Sequence, residues 1–386
     1  MKKLSLIALL TALVMVLGMV PMAAMAEGDK IALVTDVGTI DDESFNQACW
    51  QAVEAYATAN NIPYVYYQPT ADSTDARLQS IDQAVAEGAT VIVMPGYLFG
   101  ATLVTCMEDY PEVKFVAVDV AAGDLTLDYV NFVEPTANTV CLTFSEEQAG
   151  YLAGYAAVKD GYTKLGFLGG MAVPAVIRYG YGFVQGADAA AKELGTNIEI
   201  NYTYGGQFNG TPEVTAKMEG WYQAGTEIVF ACGGGIYTSA VDAAKKVEGA
   251  KVIGVDVDQS GIIAAYAAGE GASADDIAKY ADMTVTSAMK GLAPTTIDTL
   301  TDVLVNGKWD DYKTKIDTLG LVSGDDPSLN YVQIPASTQF EDGKFTEADY
   351  KALVKGMFDG TIKVSNDTSK EPAVTNVTVE YLGNIK

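Results

Sequence analysis

The sequence predicts an α/β protein made of two doubly wound parallel-sheet lobes joined by a hinge that the chain crosses more than once. Three observations predict it. Short β-branched or aromatic runs alternate with longer stretches of helical period, the pattern of βαβ units and a mostly parallel sheet. The pattern occurs twice: strands open near Ile31, Pro63, Thr90 and Lys114, then near Lys164, Ile198, Glu227 and Lys251. Intervals of 32, 27 and 24 residues are thus followed by 34, 29 and 24. Finally, 386 residues with 49% apolar and 19% charged content suffice for more than one buried core.

Taken in order, the chain begins with Lys2 and Lys3, an apolar run from Leu4 to Val20, Pro21, and Ala24-Met25-Ala26. This reads as a secretory signal peptide over 1–26, its apolar run being shorter than the ~20 residues a membrane span needs. The protein is therefore expected to be exported, periplasmic or at the cell surface, with no lipoprotein cysteine just after the cleavage point. The first lobe is expected over 27–160 plus about 283–317, and the second over 161–282 plus about 318–386, with a boundary near Lys159-Asp160-Gly161. The stretch after 283 is too strand-poor for a third lobe and returns to complete the first two. In the first helix Phe45, Ala48, Cys49, Ala52, Val53 and Tyr56 form one apolar stripe. Asp41 or Asp42 caps it, and Asn46 falls off the stripe in its first turn. Cys49, Cys106, Cys141 and Cys232 are spaced for neither a disulfide scaffold nor a metal motif and are expected as buried free thiols.

Charge and composition exclude several function classes. The 24 basic residues face 50 acidic ones, for a net charge of −26, which opposes contact with nucleic acid or anionic membrane. There is no histidine, so Ser-His-Asp and Cys-His catalysis and histidine-bearing zinc sites are absent from the chemistry. The glycine runs match neither a dinucleotide nor a P-loop fingerprint, and no cofactor is expected. The segment opening at Asp256 starts like a calcium loop, but its twelfth position is Ala267 where a bidentate Glu is needed, so no metal is expected either.

Ligands of open α/β sheets bind beyond the carboxyl ends of the strands. There, IALVT is followed by Asp36, KFVAV by Asp119 and KVIGV by Asp256. An aspartate in this position also caps helices, but three together, meeting in one cleft, favour a neutral or cationic ligand rich in hydroxyl or amine donors. Gly96-Tyr97, Gly169-Gly170 and Gly233-Gly234-Gly235 end other strands and let a ligand approach the backbone. Phe45, Phe208 and Tyr237 are candidates to clamp a flat ring, and Lys290 is a candidate cationic donor.

The segment IALVTDVGTIDDESFNQACWQ, with KLGFLGGMAVPAV, RYGYGFVQGAD, EIVFACGGG, KVIGVDVDQS and TVTSAMK, resembles the basic membrane protein family of ABC-transporter substrate-binding proteins. The likeness runs through most of the chain after the signal peptide. It implies a type I periplasmic-binding-protein fold with three crossovers, a nucleoside ligand, most simply a purine nucleoside, and delivery to an ABC permease by a monomeric protein. It also implies that Asp256 and Lys290 hold ribose hydroxyls, Asn46 and Asp119 read the base edge, and Phe45 stacks on one base face. The opposite stacking partner stays open between Phe208 and Tyr237, and a flavin or other ring compound stays open as ligand. From the residues alone, a secreted carboxylate-dependent hydrolase such as a nucleosidase, using Asp36 with Asp119 or Asp256, is the rival reading. A sugar-responsive repressor is disfavoured because a signal peptide stands where a DNA-binding head would be.

Overall fold

The computed structural model describes residues 28–385, so the proposed signal peptide lies outside the described residues. The chain runs through β1 (Ile31–Val34), α1 (Phe45–Asn60), β2 (Tyr64–Tyr67), α2 (Thr74–Ala86), β3 (Val91–Pro95), α3 (Phe99–Asp109), β4 (Lys114–Val118) and β5 (Thr139–Phe144). It continues through α4 (Glu146–Lys159), β6 (Lys164–Gly169), α5 (Pro174–Leu194), β7 (Ile198–Tyr204), α6 (Pro212–Gln223), β8 (Ile228–Cys232), α7 (Tyr237–Ala244) and β9 (Lys251–Asp256). Then follow α8 (Ser260–Ala268), α9 (Ala274–Ala278), β10 (Thr284–Lys290), α10 (Leu292–Leu304), α11 (Trp309–Tyr312), β11 (Ile316–Leu319), β12 (Val332–Gln333), α12 (Glu347–Phe358) and β13 (Val377–Asn384). The first four strands of each lobe open within one residue of the positions the sequence pattern gives.

Two sheets form. The first has the order β2-β1-β3-β4-β5-β11 and is parallel throughout. The second has the order β13-β7-β6-β8-β9-β10-β12, with β12 antiparallel to β10 and the other pairs parallel. The order around β1 in one sheet is repeated around β6 in the other, so each lobe has a switch point between its first and third strands. Central strands such as β3 are buried at every position because helices cover both faces of the sheet. On α1 the stripe Ala48, Cys49, Ala52, Val53 and Tyr56 is buried, and the Tyr56 hydroxyl donates to Leu300 O (3.1 Å), tying α1 to α10. All four cysteines are free and buried.

The crossings differ from the expected boundaries. Helix α4 packs lengthwise on α5, and β10 pairs with β9, so residues 146–160 and 284–290 belong with the second sheet and not the first. The chain therefore changes lobes at Ser145, at Gly291, and over 320–331. These segments lie side by side: Ser145 N–H donates to Leu319 O (2.9 Å), Tyr331 N–H to Gly320 O (3.1 Å) and Gly291 N–H to Tyr331 O (2.6 Å).

The α4–α5 pairing is a backbone-to-backbone contact. A Cβ on Gly150 or Gly154 would lie 2.1 Å from the carbonyl oxygen of Tyr179 or Phe183. One on Gly182 or Gly186 would lie 2.1 or 2.0 Å from that of Glu147 or Tyr151. Glycine at i and i+4 on both helices thus removes the side chains that would hold them apart. The closeness sets Glu146 beside Arg178 at the helix ends that face the cleft.

Candidate functional site

Between the lobes lies a cleft lined from the first lobe by Asp36, Phe45, Asn46 and Asp119 and from the second by Arg178, Tyr179, Phe208, Asp256 and Lys290. Seven of the eight residues singled out from the sequence are thereby brought together. Tyr237 is the exception: it does not line the cleft, is 5% exposed, and packs edge-on against Tyr266 at 5.7 Å between α7 and α8. As the first residue of α7, its ring faces the helix layer and not the strand ends. Phe208 lies instead over a cradle of Gly170, Gly233 and Gly234, where a Cβ would meet the ring or its backbone at 2.4–2.9 Å. Gly233 and Gly234 also have φ of +140° and +49°, so no side chain holds the ring off the sheet.

Asp119 and Asp256 occupy equivalent places, at the carboxyl ends of β4 and β9, and share a φ of +63°. For a residue with a Cβ this backbone costs about 1–3 kcal/mol, and it turns both carboxylates into the cleft. Asp256 Oδ2 accepts from Ser44 Oγ (2.8 Å), a bond between lobes. Gln259 Nε2 donates to Glu43 O (3.0 Å), a second one. The lobes are thus latched in a closed arrangement. Asp36 Oδ1 accepts from Gly38 N–H (2.8 Å) and Asn46 Nδ2 (3.0 Å), fixing the Asn46 amide in the first turn of α1. Asp42 rather than Asp41 caps that turn, accepting from the N–H groups of Asn46 (3.0 Å) and Gln47 (3.1 Å).

Lys290 is the electrostatic centre. Its Nζ donates to Asp119 Oδ2 and lies 3.6 Å from Glu146 and 3.8 Å from Asp256. It also sits 4.6 Å from the Phe45 ring centroid, over the ring face. Burial disfavours its charge, but Asp119, Asp256 and Glu146 together outweigh burial and hold it above the usual lysine range. Burial pushes Asp119 up to about 6 against the pull of Lys290, Asp42 also to about 6, and Asp36 and Asp256 upward. Glu147, behind them, is lifted by burial to about 7.

Arg178, Glu146, Ser44 and Tyr179 are not singled out by the sequence. Arg178 Nε donates to the wholly buried Glu146 (2.6 Å), extending the charge network from Asp119 through Lys290 to the second lobe. The adjacent acids Glu146-Glu147 at a helix start look like ordinary first-turn charges. The one signal that they are buried is the glycine spacing that follows, which draws α5 onto them. Two acceptors in the cleft, Asn46 Oδ1 and Asp119 Oδ1, are buried without a hydrogen-bond partner in the protein. Chemically, the site offers acceptors to N–H and O–H donors, the Lys290 ammonium and the Arg178 guanidinium, and the rings of Phe45, Tyr97, Tyr179 and Phe208.

Two doubly wound lobes crossed three times and closed over such a cleft define the type I periplasmic-binding-protein fold. A solute-binding protein of an ABC transporter system from Aeropyrum pernix superposes with a TM-score of 0.64 at 20% identity, covering 88% of each chain. Another from Conexibacter woesei gives 0.62 at 22% identity over 88% of this chain and 99% of that one. The profile of the Bmp family, described as ABC transporter substrate-binding protein PnrA-like, matches residues 30–338, and the chain belongs to that family. Among sequence relatives, the ABC transporter nucleoside-binding protein BmpA of Lactococcus lactis is 28% identical over 242 residues, 60% of this chain and 64% of that protein. Basic membrane protein A1 of Borrelia garinii is 30% identical over 238 residues, 61% of this chain and 66% of its own length. The matched part thus spans just under two thirds of these relatives. Among the described residues, no helix is long and apolar enough to cross a membrane.

Proposed function

We propose that this chain is the extracytoplasmic receptor of an ABC importer, taking a neutral nucleoside, preferentially a purine nucleoside, into the cleft and passing it to a membrane permease. The observation that carries this reading is the pair of unpartnered buried acceptors, Asn46 Oδ1 and Asp119 Oδ1, in a cleft whose two lobes each present a phenylalanine. Leaving such atoms unpaired costs about 1–3 kcal/mol each, and N–H groups on a heteroaromatic edge relieve that cost. Phe45 and Phe208 clasp the base between them, Asp256 and Lys290 take the ribose hydroxyls, and the lobes close because the ligand contacts both. The name of the Lactococcus relative, a nucleoside-binding protein, supports the same ligand class.

The test is calorimetry of the purified protein with inosine, guanosine and adenosine, followed by product analysis. One-to-one binding with the ligand recovered intact is expected. Release of free base overturns the receptor reading in favour of a carboxylate hydrolase, and absence of binding to all three overturns the ligand class. Asp256→Ala should weaken binding about ten- to hundredfold, from the loss of charged hydrogen bonds worth about 1.5–3 kcal/mol.

A further inference from the structure

The nucleoside reading of the cleft leaves one charged wall residue without a role. Arg178 stands in the second turn of α5, next to Tyr179, whose hydroxyl reaches Asp256 Oδ1 at 3.5 Å. The glycine contacts between α4 and α5 fix where this turn lies, so the guanidinium is carried by rigid backbone. A guanidinium has five N–H donors and no acceptor. Among the described residues Arg178 uses one of them within the protein, from Nε to Glu146 (2.6 Å), and Glu146 is its one ion-pair partner. No protein acceptor among the described residues takes its Nη1 and Nη2 groups, and the side chain keeps 16% of its surface accessible on the cleft wall. Lys290 differs, since three acids surround it and leave its side chain 3% exposed.

The free donors restrict what they can receive. Glu146 already balances the charge of Arg178, and Asp36, Asp42, Asp119 and Asp256 line the same space. An anionic group such as a phosphate is disfavoured there, and the spare N–H groups call for neutral acceptors. Asp119 and Arg178 stand near enough for each to favour the other's charge, so the guanidinium lies on the side of the cleft where Asp119 meets the base. Its planar fork is matched by two acceptors side by side in one plane. In inosine and guanosine, O6 and N7 form such a pair, whereas adenosine sets N7 beside an amino group that is itself a donor. We propose that Arg178 is a specificity-determining ligand contact, its Nη groups donating to O6 and N7 of a 6-oxopurine nucleoside, so that the cleft selects inosine and guanosine over adenosine. The assignment rests on the nucleoside reading above and narrows it.

The experiment is calorimetric titration of the purified protein with inosine, adenosine and 7-deazainosine, which keeps O6 and replaces N7 by carbon. Inosine is expected to bind about tenfold or more tighter than adenosine, and 7-deazainosine several-fold more weakly than inosine. Arg178→Lys keeps a cation beside Glu146 but lacks the fork. It should lower inosine affinity about tenfold or more while leaving adenosine within about threefold of the parent. A residue that merely supports Glu146 would cost both nucleosides the same factor, and that result would overturn the proposal. Parent protein binding adenosine or 7-deazainosine as tightly as inosine would also overturn it, a comparison that needs no variant to fold. Absence of binding to every nucleoside would instead overturn the ligand class, and this assignment with it.

Discussion

Replacing Lys290 by Met removes the one ammonium that three buried acids share while keeping the length of the side chain. The carboxylates left behind are 9% exposed at Asp119, 6% at Asp256 and 0% at Glu146. Breaking a buried ion pair from one side costs about 3–5 kcal/mol, and the sharing among three acids puts Lys290→Met at the upper end of that range at pH 7. The pH dependence has a definite sign. Burial already raises Asp119 to about 6 in the folded protein, above the ~3.9 of an unfolded chain, so its contribution to stability is greatest below the unfolded value and declines as pH rises through about 6. Without Lys290 the folded state binds protons more tightly still. The deficit of the variant relative to the parent therefore shrinks on acidification, by about 1.4 kcal/mol per pH unit for each extra proton held. Urea unfolding of both proteins at pH 7 and pH 5 measures this. A variant as stable as the parent at pH 7, or a deficit equal at the two pH values, would refute the account of Lys290 as the counter-charge of the cleft.

Three further outcomes follow from the geometry. Ser44→Ala removes an interlobe bond to a charged acceptor, worth about 1.5–3 kcal/mol, and should shift the ligand-free protein toward open lobes, seen as a larger radius of gyration in small-angle scattering. Phe208→Ala should weaken nucleoside binding at least tenfold, whereas Tyr237→Leu, which removes a ring outside the cleft, should leave affinity within about twofold in the same calorimetric assay. Gly154→Ala drives a methyl group to 2.1 Å from a backbone carbonyl that cannot rotate away, and should lower stability by about 1–3 kcal/mol or more in thermal unfolding.

Much of this architecture is legible in the amino-acid order because strands buried on both faces write themselves as apolar runs, and VIVMP at 91–95 or KVIGVD at 251–256 leave little choice. The aspartates beyond β1, β4 and β9 are legible for a related reason: a charge directly after such a run falls at the sheet edge. The lobe boundaries are not. Ser145 and Gly291 are single residues with no change of composition around them, whereas Lys159-Asp160-Gly161 looks like a linker and is merely the end of α4. Placing α4 correctly requires seeing that glycines in two separate segments, 150–154 and 182–186, face one another, a relation that periodicity within either segment does not contain. Tyr237 shows a similar limit, since a residue at a helix start points toward the cleft or away from it according to the helix's roll on the sheet. Arg178 was hidden because its partner Glu146 lies 32 residues earlier.

The edge strand β11 carries a consequence for how the molecule is made. It pairs with β5 through Ile316–Leu319, yet everything belonging to the second sheet from α4 to β10 is synthesised in between. As the chain leaves the ribosome, the hydrogen-bonding rim of Thr139–Phe144 stays uncovered until some 170 further residues have emerged. Such a rim invites pairing with a neighbouring nascent chain. Conditions that slow delivery of the final third should therefore raise aggregation more than an equal delay at the start, and supplying the 291–320 stretch as a separate peptide should suppress it.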